Sequence, residues 1–425
     1  MTSDTTGRPT VLVIGGRPKI VQKARELGLG VVYVQYPASY RREHWEFVDQ
    51  ALLLDYSDTE RLLPLVRALH DAYPFQKVVS LFELGLLPAA KVDEMLGLGG
   101  NPVAAVEMLL DKSLMRERLN ALGLSPVASA VGRTERDLRA FAGEHGLPVV
   151  IKPTREAGSI CVLAARDEAD LASVVGRYHE LGGRIDAVDL AGPLDEFLME
   201  EYLDGPEISV ETLSFAGRHV VIAVTDKVTG GGPGFVETGH STPSRHPAAV
   251  LEEVEELVAR FLDAVGLREG PAHTELKLTG RGPRVIESHN RVGGDRINEL
   301  TEVAYRIDMD RYALGIPFGL VEPLSHQPEP VAGAAIRFLT PAPGRVVEVV
   351  GADAVAGDPA LVELEITVEP GDEVPELTWS QDRVGHVIAR GETVEEAVAH
   401  CERLLAAIVI RTEAIEAIEA VKATG

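Results

Sequence analysis

The first hundred residues alternate short apolar runs with helical periods. Residues 10–16 (TVLVIGG) form an apolar run ending in paired glycines, and a helical pattern follows to Ala24. Apolar runs recur at 31–35, 51–55 and 77–82, with a helical period over 62–70. Strands and helices alternating at these lengths predict a parallel sheet. The glycine turn lacks the full dinucleotide fingerprint and gives little support to nicotinamide binding.

A Gly-, Asn- and Pro-rich connection at 96–102 leads to a helical period over 103–122, which residues 123–126 break. Runs at 149–153 and 160–164 read as strands joined by a polar, glycine-containing turn. Runs at 198–203 and 207–215 form another strand pair. Strands are also predicted at 220–225 and 284–288, and a long amphipathic helix at 249–265. Several prolines at 323–331 suggest a boundary. Beyond it the chain is Val- and Gly-rich, with short strands near 334–338, 346–350, 361–368 and 385–389 and a closing helix from about Val394. There is no internal repeat and no low-complexity segment.

A chain of 425 residues exceeds one small core, so two or three lobes are expected. The formal charge of -25 disfavours phosphate backbones and anionic lipid, so neither nucleic acid nor membrane is expected as a partner. Aromatics at 5% argue likewise against a surface that stacks bases. An anionic substrate would need local Lys and Arg. Cys161 and Cys401 have no metal-ligand spacing and sit in apolar stretches, where a buried small side chain is the better reading than a nucleophile. The polar first ten residues lack a signal-peptide core, and no apolar run approaches a membrane span, so the cytoplasm is the expected compartment.

Three stretches carry candidate chemistry. In 151–162 (IKPTREAGSICV) a strand ends in Lys152 before a turn with Gly158 and Ser159. Backbone N–H groups of such a turn cradle phosphate oxygens and the lysine adds a point charge, although strand-turn-strand units with a Lys are common. In 198–211 (LMEEYLDGPEISVE) carboxylates crowd the end of an apolar strand. That pattern suits an adenine-binding backbone with Glu207 on a ribose, and equally a solvated acidic turn or a charge-blunted edge strand. In 271–295 (PAHTELKLTGRGPRVIESHNRVGGD) Glu275 and Glu287 lie on two runs joined by a hairpin-like turn at 279–282. Two carboxylates on one face of such a hairpin suit Mg²⁺, and Arg291 beside them suits developing negative charge; a surface hairpin with solvated charges has the same spacing.

In this order the three stretches resemble the ATP-grasp superfamily. The hinge MEEYLDGPE and the loop KPTREAGS are similar to segments of D-alanine–D-alanine ligases. Residues 270–295 and FVETGH at 235–240 are similar to the L-amino acid ligases, the bacilysin-type dipeptide synthetases. The helix start DKSLMRERL at 111–119 is typical of both. The resemblance covers about 11–308. It implies an α/β and α+β architecture: an N-terminal Rossmann-like domain (1–102), an ATP-grasp domain (103–325, with lobes at about 123–203 and 204–325) and a small C-terminal β-rich lobe (326–425).

The resemblance further implies an ATP-dependent carboxylate–amine ligase that works through an acyl phosphate. Lys112 and Lys152 would contact phosphates, and Gly158 and Ser159 would form a flap over them. Glu200, Glu201 and Leu203 would meet the adenine and Glu207 the ribose. Glu275 and Glu287 would hold two Mg²⁺ ions, for which Mn²⁺ would substitute, with Asn290 as a further candidate ligand. Arg291 would stabilise the acyl phosphate and the tetrahedral intermediate. Glu237, His240, Gly293 and Gly294 would line the substrate pocket. The substrates would be small molecules, a carboxylic or amino acid and an amine or amino acid, with a homodimer as one expected assembly. The sequence departs from many relatives in placing His289, not Asn, two residues after Glu287, with Asn290 following. Ile160 and Cys161 likewise stand in the flap where a second small residue is frequent. A carboxylase or purine-pathway-type ligase acting on a one-carbon acid remains an alternative, as does a nucleotide-binding module without turnover.

Overall fold

The computed structural model describes residues 7–156, 158–183, 194–230 and 235–414. Four parallel strands open the chain: β1 (Thr10–Ile14), β2 (Gly30–Gln35), β3 (Gln50–Leu53) and β4 (Lys77–Val79), in the order β3-β2-β1-β4. Helices α1 (Pro18–Glu26), α2 (Thr59–Ala72) and α3 (Glu83–Leu96) connect or follow them. Gly15 has φ +67°, and a Cβ there would come 2.7 Å from the Tyr56 hydroxyl, so only glycine fits the turn after β1.

The helical period over 103–122 is two helices, not one. α4 (Val103–Leu110) stops at Asp111, which is extended and caps α5 (Lys112–Leu122) by accepting the Ser113 and Leu114 N–H groups. A side-chain cap competes with helix continuation, and hydrophobic periodicity alone cannot register it. The break buries Lys112 at the first position of α5.

A four-stranded antiparallel sheet follows: β5 (Ser129–Gly132), β6 (Val149–Lys152), β7 (Leu163–Ala165) and β8 (Phe197–Glu201), ordered β5-β8-β6-β7. It carries α6 (Glu135–His145) and α7 (Glu168–Gly182). Strand β7 is shorter than the apolar run 160–164 predicts, because Ser159 and Cys161 adopt positive φ and hold that segment as a turn.

The largest sheet has eight antiparallel strands, ordered β13-β12-β9-β10-β11-β14-β18-β16. Its members are β9 (Glu207–Phe215), β10 (Arg218–Thr229), β11 (Glu237–Thr242), β12 (Gly270–Thr279), β13 (Gly282–His289), β14 (Gly333–Phe338), β16 (Leu361–Ile366) and β18 (Gly385–Gly391). Residues on either side of the Pro-rich stretch at 323–331 therefore share one sheet. Helix α8 (Ala248–Val265) buries Val254, Val258, Phe261 and Leu262 against Ile208, Val210, Leu276 and Val285. Helices α9 (Ile297–Tyr305) and α10 (Met309–Gly315) follow β13. A three-stranded sheet, β17-β15-β19, combines β15 (Gly344–Val350), β17 (Glu373–Val374) and β19 (Val409–Glu413). Helices α11 (Ala352–Val355) and α12 (Val394–Ala406) complete the described chain.

Lys23 of α1 reaches Asp308 (2.6 Å) and Asp310 (2.7 Å), tying the first sheet to α10 in a largely buried cluster. Lys23→Met would leave both carboxylates without their cation. We expect a loss of about 3–5 kcal/mol, typical of a broken buried pair. Thermal unfolding checks this, and an unchanged Tm would show the pair to be neutral.

Candidate active site

Strand alternation on the large sheet segregates charge from core. On β9, Ile208 and Val210 face α8, which turns Glu207, Ser209 and Glu211 to the other side. On β12, Ala272 and Leu276 face the core, so His273, Glu275 and Lys277 share the polar face. On β13 simple alternation would put Val285 and Glu287 on one side. A bulge at Ile286 prevents it: Leu276 pairs with Val285 while Glu275 pairs with Glu287. The extra residue brings Glu287 beside Glu275 while Val285 stays in the core.

The pocket over this face lies between the four-stranded antiparallel sheet and the eight-stranded one. Lys112, Lys152, Ser159, Glu200, Glu201, Leu203, Glu207, Glu237, Glu275 and Glu287, ten of the positions singled out above, line it. Lys112 Nζ lies 3.0 Å from Glu287 and donates to the Glu156 carbonyl. Lys152 meets Glu200 at 2.7 Å, and Arg116, fully buried, meets the same carboxylate at 2.6 Å. Gly158 and Ser159 both have positive φ (71° and 61°). Ser159 Oγ donates to the Phe235 carbonyl (3.2 Å). The Glu201 carboxylate is taken by Arg281 (2.7 Å) and the Ala128 N–H (3.0 Å).

Glu275 and Glu287 repel each other and are buried, which raises carboxyl pKa values. Burial is the largest single effect, but Lys227 with His273 at Glu275, and Lys112 with His289 and Lys152 at Glu287, together reverse it and hold the pair ionised, below the usual range. Charged oxygen donors facing one pocket are the donor set that Mg²⁺ prefers, so these residues fit the expected metal. Burial lowers the pKa of His273, but Glu211 (2.6 Å) and Glu275 (3.0 Å) reverse that and push it up to about 10.

Asn290, the further candidate ligand, is not among the residues that line this pocket. β13 ends at His289, and Asn290 lines a second cavity of about 350 Å³ between β4, α3 and the start of β12. His289 instead stays on the polar face, with Nε2 3.4 Å from Glu287. Arg291 lies beside the pocket and is held by Glu83 (2.5 Å), whose other oxygen takes His289 Nδ1 (2.7 Å). Burial would raise the Glu83 pKa; the charges of His289 and Arg291 prevail and hold it far below the ordinary range. The expected substrate residues divide. Glu237 lies in the pocket, whereas His240 lies apart, 3.2 Å from Asp295. The Gly293 N–H donates to Glu211 (3.3 Å), and Gly294 accepts the Ile297 N–H.

Sequence reasoning passed over two residues. Lys227 on β10 is buried 2.8 Å from Glu207, 3.0 Å from Glu237 and 2.7 Å from Glu275. Its signal is a lysine shortly after the apolar run 220–224 and within the same strand, which a buried position tolerates only with partners. Glu83 begins α3, and its signal is a carboxylate directly after an apolar run. Both cysteines are buried, and burial pushes their thiols up to about 11 and about 12, as inert positions require.

Three family models tile the chain. The ATP-grasp N-terminal domain matches residues 21–100, the ATP-grasp domain 145–299, and the L-amino acid ligase C-terminal domain 2 residues 337–413. The chain has the ATP-grasp fold and carries a stretch that matches the ATP-grasp domain. The structure of L-amino acid ligase from Bacillus licheniformis superposes with a TM-score of 0.80 at 23% identity, over 96% of this chain and 100% of that one. The chain is 32% identical to alanine–anticapsin ligase of Bacillus subtilis over 247 residues, 55% of the chain and 52% of that protein. It is 28% identical to carnosine synthase 1 of Gallus gallus over 341 residues, 76% of the chain and 36% of that protein. The chain thus spans about half, or less, of these curated relatives. Among the described residues no helix is long and apolar enough to cross a membrane.

Proposed function

We propose that the protein is an ATP-dependent carboxylate–amine ligase that joins two amino acids, or an amino acid and a related amine, with release of ADP and phosphate. The observation that carries this reading is the facing pair Glu275 and Glu287 in a pocket lined by Lys112 and Lys152, with Lys227 beside Glu275. Adenine would lie against Glu200, Glu201 and Leu203, and the ribose against Glu207. Lys112, Lys152 and the Gly158–Ser159 turn would hold the phosphates. Lys227 Nζ, within 3.0 Å of Glu207, Glu237 and Glu275, would add positive charge at the phosphate end of the pocket. Mg²⁺ on Glu275 and Glu287, with two ions as the fuller reading and Mn²⁺ as a substitute, would neutralise charge on the phosphates.

The substrate carboxylate oxygen would form a bond to the γ-phosphorus as the bond to the ADP oxygen breaks. Arg291 would then stabilise the oxyanion as the amine nitrogen bonds to carbon and phosphate departs, the amine proton passing to solvent. The flap turn would exclude water, which otherwise consumes the acyl phosphate. The match to an L-amino acid ligase C-terminal domain and the names of the two relatives support amino acids over a one-carbon acid. A cytoplasmic location belongs to the same proposal; the assembly state does not enter it.

Amino acids supplied pairwise with ATP and Mg²⁺ should yield ADP, inorganic phosphate and a product of dipeptide mass for some pair. Formation of AMP and pyrophosphate would overturn the acyl-phosphate chemistry.

A further inference from the structure

One turn from the last third of the chain, residues 378–383 (TWSQDR), packs beside the pocket. Asp382 braces it by accepting the Thr378 N–H and hydroxyl (both 2.7 Å) and the Trp379 N–H (3.0 Å). Ser380 Oγ donates to Glu237 Oε2 (3.2 Å), while the other oxygen of Glu237 meets Lys227 (3.0 Å). Arg383 donates to the carbonyls of Ser380 (2.6 Å) and Glu237 (3.2 Å). It also grips Asp295 with both terminal nitrogens, at 2.8 and 2.5 Å. Its guanidinium carbon stacks 3.7 Å from the centroid of Phe338. Gln381 reaches the flap: a Cβ on Gly158 would lie 3.5 Å from its amide nitrogen.

The segment that Arg383 grips is strained. Asp295 and Arg296 both occupy the left-handed region (φ 51° and 64°), which costs a non-glycine residue about 1 kcal/mol or more each. Such a bend persists only where its surroundings over-determine it. For Asp295 those surroundings are Arg383 and His240. The bend directly follows Gly293 and Gly294, which come straight after Arg291 and Val292. One arginine from the C-terminal region therefore ties the chain after Arg291 to the β11 backbone at Glu237. A guanidinium does this by its planar fork; an ammonium has no such geometry.

We propose that Arg383, assisted by Ser380, is a positioning residue for the amine acceptor: it holds residues 293–296 and Glu237 so that the amine meets the activated carboxylate. The assignment of the acceptor rests on the ligase reading above. The bracing of the bend stands without it.

Two measurements on Arg383→Met, Arg383→Lys and Ser380→Ala separate the two. In hydrogen exchange with ADP and Mg²⁺ bound, Arg383→Met should speed exchange at 293–296 while the β6 and β9 amides keep wild-type rates. Unchanged protection at 293–296 in a folded Arg383→Met protein would overturn the bracing, whatever the reaction is. With a productive amino-acid pair, Arg383→Met should raise KM for the amine about 10-fold or more and increase ADP formed per amide, because misplaced acceptor loses to water. KM for ATP should stay within about twofold, since no contact of Arg383 is to a residue assigned to the nucleotide. Arg383→Lys should be intermediate and Ser380→Ala milder. Unchanged amine KM and coupling, or a loss confined to ATP affinity, would overturn the acceptor role. Ser380→Ala keeps the test open should Arg383→Met fail to fold.

Discussion

Glu287→Gln should cut phosphate release by about 100-fold or more while leaving much of the nucleotide affinity in place. Glu287 faces Glu275 across β12 and β13, and Lys112 holds it ionised. The amide keeps the shape, removes one charge from the oxygen pair and relieves their mutual repulsion, so the fold should survive. Lys112 retains the Glu156 carbonyl as a partner. The residues proposed for adenine and ribose, Leu203 and Glu207, belong to the hinge and β9, not to β13. Binding should therefore persist through them while the phosphate end loses its hard ligand. Glu253→Gln, on the exposed side of α8, is the neutral control. Full turnover by Glu287→Gln across a range of Mg²⁺ concentrations would remove the metal assignment and the mechanism built on it.

Lys227→Met is expected to have the largest combined effect on stability and binding. Glu207, Glu237 and Glu275 bring oxygens within 4.8 Å of one another, and Lys227 contacts all three. Burial works against its charge, yet these carboxylates raise its pKa well above the usual lysine range. Methionine would keep most of the stem and leave like charges facing each other in a largely buried pocket. Lys277 still serves Glu207 and His273 still serves Glu275, so the cost should fall near about 3 kcal/mol, the lower end for a broken buried pair. A lower Tm and at least a tenfold weaker affinity for a non-hydrolysable ATP analogue are expected. Mg²⁺ should raise the Tm of the variant more than that of the wild type, because the ion would supply the missing charge. If neither Tm nor affinity moved, Lys227 would be neither counter-ion nor phosphate ligand.

The pattern of residues alone determined much of this molecule. Alternating apolar runs and helical periods located β1 to β4, α2 and α8 closely, because a buried face imposes period 2 on a strand and 3.6 on a helix. The order of KPTREAGS, MEEYLDGPE and the Glu275–Glu287 hairpin was enough to indicate an ATP-grasp chain, since each stretch is a local backbone unit with its own charges. Three things required the tertiary structure. The cap of Asp111 divides one helical period into α4 and α5 and so buries Lys112; a side-chain hydrogen bond has no hydrophobic period. The bulge at Ile286 puts Glu287 beside Glu275 and leaves Asn290 on the far side, because register depends on the partner strand. Lys227, Glu83 and Arg383 reach their partners only when strands and loops distant in sequence are brought together, and charge pairing over such distances leaves no spacing in the chain to read. Local periodicity is written along the sequence; which buried charges face one another is decided by packing.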